Sequence, residues 1–319
     1  MPLPTQGSVH IDAALTNIST AYLQDASHFV ASQVFPTVPV SHKSDKYFTY
    51  NKSDFRRNEA KPRAAGTESA GGGFRMSNDN YSCEDYSFHK DVPDKIRANA
   101  DAAVNVDADA TRFVTESLLI QKEVQWATDY FATGIWGTDV TGGTDFTAWD
   151  DAASDPETDL DTGRTLILKK TGKMPNTLLV GWSVHLALKR HPLITERYKH
   201  TSPDSITTAM IAAFFELDRY LVAKASYDSA AEGATDVDAF ILGNHALLCY
   251  SAPSPGLLLA TAGYTFVWSN ANGGLNSSGL AVKTFRMEHL ESDRVEGSFA
   301  YDHKVVSSDM GYFFALAAS

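Results

Sequence analysis

The sequence predicts a folded α+β protein, and three patterns in different parts of the chain support that class. One long stretch has apolar residues at three- and four-residue spacing, which is typical of a helix. Runs of alternating apolar and polar residues precede it, and strand-like segments alternate with helical ones after Pro175. The 319 residues are 43% hydrophobic and 21% charged, a composition that excludes an intrinsically disordered chain.

Residues 1–45 are predicted to form an extended arm, because prolines interrupt them and their one helical candidate, Ala13–Val30, is weakly periodic. The next segment has alternating runs on both sides of a glycine-rich tip around Gly71–Gly73. We interpret it as two strands, Tyr47–Tyr50 and Tyr81–Phe88, joined by a long loop. A projecting hairpin is too thin to bury a core, so we expect it and the arm to pack on another surface.

The strongest helix pattern begins at Asp107 or Asp109, either of which can act as the N-cap. About 25 residues at ~1.5 Å each give a rod of about 38 Å. Its spaced apolar positions are Phe113, Val114, Ile120, Val124, Ala127 and Phe131.

A second helix has clear signals at both ends. Asp155 can cap it, Pro156 suits its first position, and Gly172 can end it. Acidic residues lie near its start, with Lys169 and Lys170 near its end, as the helix dipole favours. This helix start explains the local acidic cluster without a ligand.

The remainder of the chain is predicted to alternate helices and strands. The predicted helices are Ser183–Arg190 and Ser205–Phe215, the latter capped by Asp204 or Ser205. The predicted strands are Thr177–Val180, Tyr220–Tyr227, Ala246–Tyr250, Val282–Leu290, Arg294–Tyr301, Lys304–Val306 and Tyr312–Ala315.

The charge is unevenly distributed. The net charge is −12, and residues 101–165 hold 14 acidic but only 3 basic side chains. Residues 43–63 are locally basic, with 7 basic against 3 acidic side chains. A basic and an acidic stretch in one chain suggest contacts between copies, although a solvated surface explains either stretch alone.

A hydrolase nucleophile is the most tempting catalytic interpretation. Gly181–His185 follows a strand and opens a helix, as a nucleophile elbow does, but His185 stands where the elbow needs a second small residue. Ser183 is also well placed to cap the helix.

Metal, phosphate and redox sites have little support. The acidic run from Asp155 has Leu160 and Leu166 where a calcium loop needs Gly and Glu, and Gly71–Gly73 lacks the Gly-Lys-Ser/Thr ending of a phosphate loop. The two cysteines, Cys83 and Cys249, are best interpreted as buried free thiols. We therefore predict no cofactor, no metal and no enzymatic activity.

Nucleic-acid and membrane binding are also disfavoured. Residues 43–63 interleave basic and aromatic side chains as single-strand binders do, but the chain is acidic overall. Residues 239–282 carry no Asp, Glu, Lys or Arg, yet prolines and glycines break every stretch long enough to span a bilayer. The first 15 residues lack a secretory pattern, so we expect a protein made in the cytoplasm.

Taken together, the order of these segments resembles a tailed-bacteriophage major capsid protein of the Hong Kong 97-type fold. The resemblance covers essentially the whole chain. It rests on the order and the residue patterns of the predicted elements, and not on a catalytic motif. Its most specific stretches are residues 155–181, 187–192, 214–222 and 301–312.

The resemblance implies a shell subunit that forms hexamers and pentamers and closes an icosahedral head around double-stranded DNA, without specific DNA binding. A separate scaffolding protein and a portal protein are implied partners, and a decoration protein is an optional one. Assembly is expected in the host cytoplasm and residence in the virion. An encapsulin-like compartment shell is the alternative of the same fold, and a serine hydrolase using Ser183 the alternative of another class.

The resemblance also implies a division of the chain and a contact surface. The implied parts are the arm 1–45, the extended hairpin loop 46–92, a peripheral domain 93–174 with the spine helix, an axial domain 175–282, and closing peripheral strands 283–319. We expect the basic hairpin to lie over the acidic 101–161 region of a neighbouring copy. The inter-subunit candidates are Arg56, Arg57, Lys61, Arg63 and Glu68.

Overall fold

The computed structural model describes residues 27–99, 105–198, 206–231, 233–256, 258–271 and 279–318. Its strands form two five-stranded sheets and two two-stranded ribbons. The helices are α1 Ala31–Val34, α2 Asp94–Asn99, α3 Val106–Tyr130, α4 Pro156–Thr171, α5 Trp182–Arg190, α6 Pro192–Tyr198 and α7 Thr208–Phe214. The strands are β1 Thr37–Val40, β2 Ser44–Tyr50, β3 Met76–Ser82, β4 Glu84–Pro93, β5 Asp139–Thr141, β6 Thr177–Gly181, β7 Arg219–Ala223, β8 Ser226–Asp228, β9 Asp238–Phe240, β10 Ala246–Cys249, β11 Gly263–Trp268, β12 Leu280–Met287, β13 Ser292–Val305 and β14 Gly311–Ala315.

The first sheet is organised around β13. Strand β4 pairs antiparallel along one side of β13, while β12 and then β11 pair along the other, and β1 adds in parallel to β11. Helix α3 packs on this sheet through a cluster that includes Val114, Leu118, Val295 and Phe299. The helix and sheet together bury one apolar core.

The second sheet has the order β5-β14-β10-β6-β7 and apolar cores on both of its faces. In β10, Ala246 and Leu248 belong to one buried cluster, and Leu247 and Cys249 belong to the other. All four residues are fully buried, which is why this strand is a continuous apolar run in the sequence.

Both predicted ends of α4 are confirmed. The Asp155 carboxylate accepts a hydrogen bond from the Thr158 N–H at 3.1 Å, and Pro156 is the first helical residue. Gly172 ends the helix with φ 74°, in the left-handed region that favours glycine.

The predicted caps of two other helices are wrong. Asn105 caps α3 by accepting from the Ala108 N–H at 3.1 Å, and Asp107 and Asp109 lie in the first turn. Asp107 pairs with Arg97 instead. Helix α7 is capped by the Thr207 hydroxyl, while Asp204 and Ser205 lie outside the described residues, as does most of the helical candidate in the arm.

The buried face of α3 also differs from the prediction. Phe113 is 50% exposed, whereas its neighbour Val114 is fully buried. The Phe113 ring instead lies at the rim of the contact between helix and sheet, with its centroid 5.6 Å from that of Phe88 in β4. The buried apolar residues of the helix are Ala108, Ala110, Val114, Leu118, Leu119, Trp126 and Tyr130.

Four strand predictions need correction. The run Tyr220–Tyr227 is interrupted after Ala223, because β7 pairs with β6 in the second sheet whereas β8 pairs with β9 in a two-stranded ribbon. The run Tyr81–Phe88 is split at Cys83, because β3 pairs with β2 whereas β4 pairs with β13. Strand β13 continues unbroken to Val305, where we predicted two strands. Strand β14 lies in the second sheet and not beside β12, since its Phe313 and Phe314 fill the cores on that sheet's two faces.

Candidate assembly surfaces

The hairpin projects from a stem that is anchored on the first sheet. Strands β2 and β3 pair in the register Ser44 with Ser82 to Tyr50 with Met76. Tyr81 stacks on Phe266 of β11 with ring centroids 4.7 Å apart, and the Ser82 N–H donates to Asp302 of β13. The stem is therefore held in a fixed place.

Beyond the stem, residues 51–75 contain no helix or strand. The Asp54 carboxylate accepts hydrogen bonds from the Arg75 backbone N–H at 2.9 Å and from the Arg75 Nε at 3.1 Å. This pairing lowers the pKa of Asp54, because the guanidinium favours the ionised carboxylate. The pair closes the neck of the loop.

Next to this neck lies an exposed aromatic cluster formed by Tyr50, Phe55 and Phe74. The Phe55 and Phe74 ring centroids are 5.3 Å apart, and both lie about 6 Å from the ring of Tyr50. Phe55 is 55% exposed and Phe74 61% exposed, with exposed Phe48 and Met76 nearby in the stem. Clustered apolar side chains exposed on a thin projection indicate a protein-binding surface.

Three of the five candidate contact residues make polar contacts within their own chain. The Arg56 guanidinium donates to the carbonyl oxygens of Lys169 and Lys170 at the end of α4. Arg57 lies 3.6 Å from Asp54 and 3.8 Å from Glu59, and Arg63 donates to the Thr67 carbonyl.

Lys61 and Glu68 are exposed and make no hydrogen bond or ion pair with any part of the chain that the structure describes. The loop contact that the sequence did not reveal is Lys52, which pairs with Asp309, itself 3.5 Å from Lys170. The loop therefore contacts the C-terminal end of α4 in its own chain, and not the described acidic residues of 101–161.

Much of the acidic stretch is occupied by local partners. Asp107 pairs with Arg97, Glu157 with Arg197, and Asp161 with Arg164. Asp159 accepts a hydrogen bond from the Trp149 indole at 2.9 Å. The acidity of residues 101–161 is therefore consistent with helix starts and with surface ion pairs, as we predicted for the start of α4.

The geometry around Ser183 is not that of a nucleophile elbow. The N-cap of α5 is Gly181, and Ser183 is the second helical residue. The prediction that Ser183 caps this helix is therefore wrong. The neighbouring imidazole is engaged elsewhere, since Nδ1 of His185 lies 3.0 Å from the Tyr220 hydroxyl.

A buried serine–histidine pair does occur at Ser154 and His191, but its protons are arranged the wrong way for catalysis. Nδ1 of His191 accepts from the Leu193 N–H, which places the ring proton on Nε2. Nε2, 3.1 Å from the Ser154 oxygen, is then the donor, and the serine hydroxyl donates to the Asp151 carbonyl. A general base must accept the serine proton, so this pair is structural.

The thiols and potential metal ligands show no reactive arrangement. Cys83 and Cys249 are buried free thiols, as predicted, and burial raises the pKa of each to about 12. Within the described ranges no group of three or more His, Cys, Asp or Glu side chains could hold a metal ion. None of the described helices is long and apolar enough to cross a membrane.

Comparison with known proteins gives relatives over nearly the full length, although no family model matches the sequence. The chain is 24% identical over 320 residues to the major capsid protein of Burkholderia phage BcepMu, covering 96% of each chain. It is 26% identical over 322 residues to the major capsid protein of Pseudomonas phage JBD67, covering 97% of each.

Solved structures share the fold at lower identity. A phage-related protein from Bordetella bronchiseptica superimposes with a TM-score of 0.72 at 23% identity, covering 97% of this chain and 98% of that one. The capsid protein in the structure of cyanophage P-SCSP1u superimposes with a TM-score of 0.58 at 12% identity, covering 90% of this chain and 88% of that one. The encapsulin SrpI of Synechococcus elongatus superimposes with a TM-score of 0.54 at 12% identity, covering 99% of this chain and 96% of that one.

The fold is thus the Hong Kong 97-type fold of capsid and compartment shells, as the order of segments predicted. Within that class the sequence relatives are phage major capsid proteins, matched almost from end to end. The predicted resemblance to a tailed-phage major capsid protein is confirmed.

Proposed function

We propose that this protein is the structural subunit of an icosahedral phage head, assembling as hexamers and pentamers into a shell that encloses double-stranded DNA. The observation that carries the proposal is the end-to-end similarity to two phage major capsid proteins, on a fold shared with solved shells. Both relatives are named major capsid proteins, and no reaction is required of a shell subunit.

The exposed aromatic cluster supports contact between copies. Tyr50, Phe55 and Phe74 lie on a projection with no core of its own, and an apolar surface of this kind is stabilised when a second chain covers it. The basic side chains that flank the cluster supply charges that can pair with an acidic neighbour. We propose Arg57, Lys61, Arg63 and Glu68 as contact residues, with Arg56 positioning the loop.

The net negative charge fits a shell that encloses DNA without binding it tightly, because binding to phosphates requires clustered Lys and Arg. A scaffolding protein and a portal are the proposed further partners, and assembly is proposed to occur in the host cytoplasm. An encapsulin-like shell is the second candidate, supported by the likeness to the SrpI encapsulin.

We also propose the predicted domain division with three strands reassigned, the first sheet being the peripheral one and the second sheet the axial one. Strand β11 pairs with β13 and so belongs with the peripheral sheet. Strand β14 pairs with β10, and β5 pairs with β14, so both belong with the axial sheet. The chain then crosses between the two sheets more often than the sequence suggested.

Charge reversal in the loop tests the proposed contact. The variant R57E/K61E is expected to keep the circular dichroism spectrum of the native subunit and to lose shell formation by at least tenfold, measured by sedimentation of assembled particles. The matched control is R57K/K61R, which retains both charges and is expected to assemble normally. Normal shells from the reversed variant would contradict a role for these charges in assembly.

A further inference from the structure

Residues 28–36, which we call the clasp segment, lie at the junction of helix α3 and both sheets. Val30, Ala31, Val34 and Phe35 are each at most 3% exposed. The Phe35 ring lies among three aromatic residues, with centroid distances of 6.1 Å to Trp126, 4.7 Å to Tyr130 and 6.2 Å to Trp136.

The segment is tied to the second sheet by polar contacts. Arg219 of β7 donates to the carbonyl oxygens of Gln33 and Val34, and the Ser251 hydroxyl donates to that of Val34 at 2.6 Å. The Lys224 N–H donates to the His28 carbonyl at 3.3 Å. The first sheet also holds it, through a hydrogen bond from the Thr265 N–H of β11 to the Pro36 carbonyl.

The tie to α3 is made by two adjacent buried charges, Lys122 and Glu123. The Glu123 carboxylate accepts from the Val30 N–H at 3.0 Å and from the Ala31 N–H at 2.9 Å. The Lys122 ammonium donates to the Ser32 hydroxyl at 3.0 Å and lies 5.1 Å from the Phe299 ring centroid. Glu123 is fully buried and Lys122 is 5% exposed.

Buried ionisable groups are costly in an interior unless they have partners. Here the hydrogen-bond partners of both side chains come from the clasp segment, so the segment and the two side chains satisfy one another. If the segment leaves, the carboxylate loses its backbone donors and the Val30 and Ala31 N–H groups lose their acceptor. Binding of the segment is therefore coupled to this pair.

We propose that the clasp segment fixes the second sheet relative to helix α3, and that Glu123 and Lys122 form the latch that holds it. The inference does not depend on the proposed function, because it concerns the single subunit. It assigns a positioning role to a segment that lies within the predicted arm, residues 1–45.

Hydrogen exchange on the unassembled full-length protein tests the latch. In Glu123→Leu, the amides of residues 30–35 are expected to exchange at least tenfold faster than in the native protein, while those of α4 and β6 keep their native rates. The matched control is Glu116→Leu, an exposed position on the same helix, which should change nothing in this segment. Unchanged exchange at residues 30–35 would overturn the latch, and so would equal acceleration everywhere.

A second measurement tests the positioning role even if Glu123→Leu folds poorly. Spin labels at positions 112 and 190 report the distance between α3 and the helix that follows β6. Arg219→Ala removes the two hydrogen bonds from β7 to residues 33 and 34, and should broaden the distance distribution at least twofold. An unchanged narrow distribution in both Arg219→Ala and Glu123→Gln would show that the clasp segment does not fix the sheets.

Discussion

His303 in β13 shows how one buried side chain can set the acid sensitivity of the subunit. Its Nδ1 lies 3.2 Å from the Thr265 hydroxyl, and its Nε2 has no hydrogen-bond partner among the described residues. Burial, with a smaller contribution from the nearby Lys122 charge, lowers the pKa of His303 to about 3. The folded protein therefore keeps this imidazole neutral at pH values where an unfolded chain would protonate it.

We predict that the contribution of His303 to the free energy of unfolding falls as pH drops from about 6.5 towards 3, because only the unfolded state binds the His303 proton in that window. The slope from this residue is at most about 1.4 kcal/mol per pH unit. His303→Gln should flatten that part of the profile, measured by urea unfolding at a series of pH values. The exposed His89→Gln is the control, and a native-like slope in His303→Gln would contradict the assignment.

At the scale of elements, the packing of α3 on the first sheet depends on Gly297 in β13. A Cβ at this position would lie 2.7 Å from methyl groups of both Val114 and Leu118. The missing side chain lets the helix approach the strand closely.

We predict that Gly297→Val destabilises the subunit by about 1–3 kcal/mol, since a larger side chain must displace the helix or its two buried neighbours. Chemical denaturation with a fluorescence readout measures the change. Gly73→Val in the loop is the matched control, because a Cβ there meets no atom within 4 Å. Equal stabilities of the two variants would show that the helix does not press on β13 at this point.

Local signals in the sequence predicted where individual helices and strands lie better than they predicted which strands pair with one another. The caps Asp155 and Gly172 act within a few residues, so α4 could be located closely. Whether Cys83 interrupts a strand, or whether β14 joins one sheet or the other, is decided by pairing with residues distant along the chain. Short-range alternation carries no information about those partners.

For the whole molecule, the class of protein could be predicted from the order of segments, but the assembly surface only in part. The basic residues of the hairpin are visible in the sequence, while the contact of Arg56 with its own helix α4 depends on how the loop folds back. The aromatic residues of 43–63, Phe55 among them, are visible in the sequence, but the contact of Phe55 with Phe74 is not, because it also depends on how the loop folds.

We predict that the double variant Phe55→Ser/Phe74→Ser retains the thermal midpoint of the native subunit within about 2 °C, because neither ring belongs to a buried core. Its assembly should fall at least tenfold, since the proposed contact loses apolar area. Light-scattering kinetics of assembly measures the effect. Val237→Ser, which removes an exposed apolar side chain elsewhere, is the control and should assemble normally.

Negative-stain electron microscopy, with light-scattering mass on the same purified sample, decides whether the protein is a shell subunit. The protein should be examined alone and after co-expression with the genes that neighbour its own. We expect closed shells, or free hexamers and pentamers, in at least one of the two samples. A monodisperse monomer or dimer in both samples would show that it is not a shell subunit.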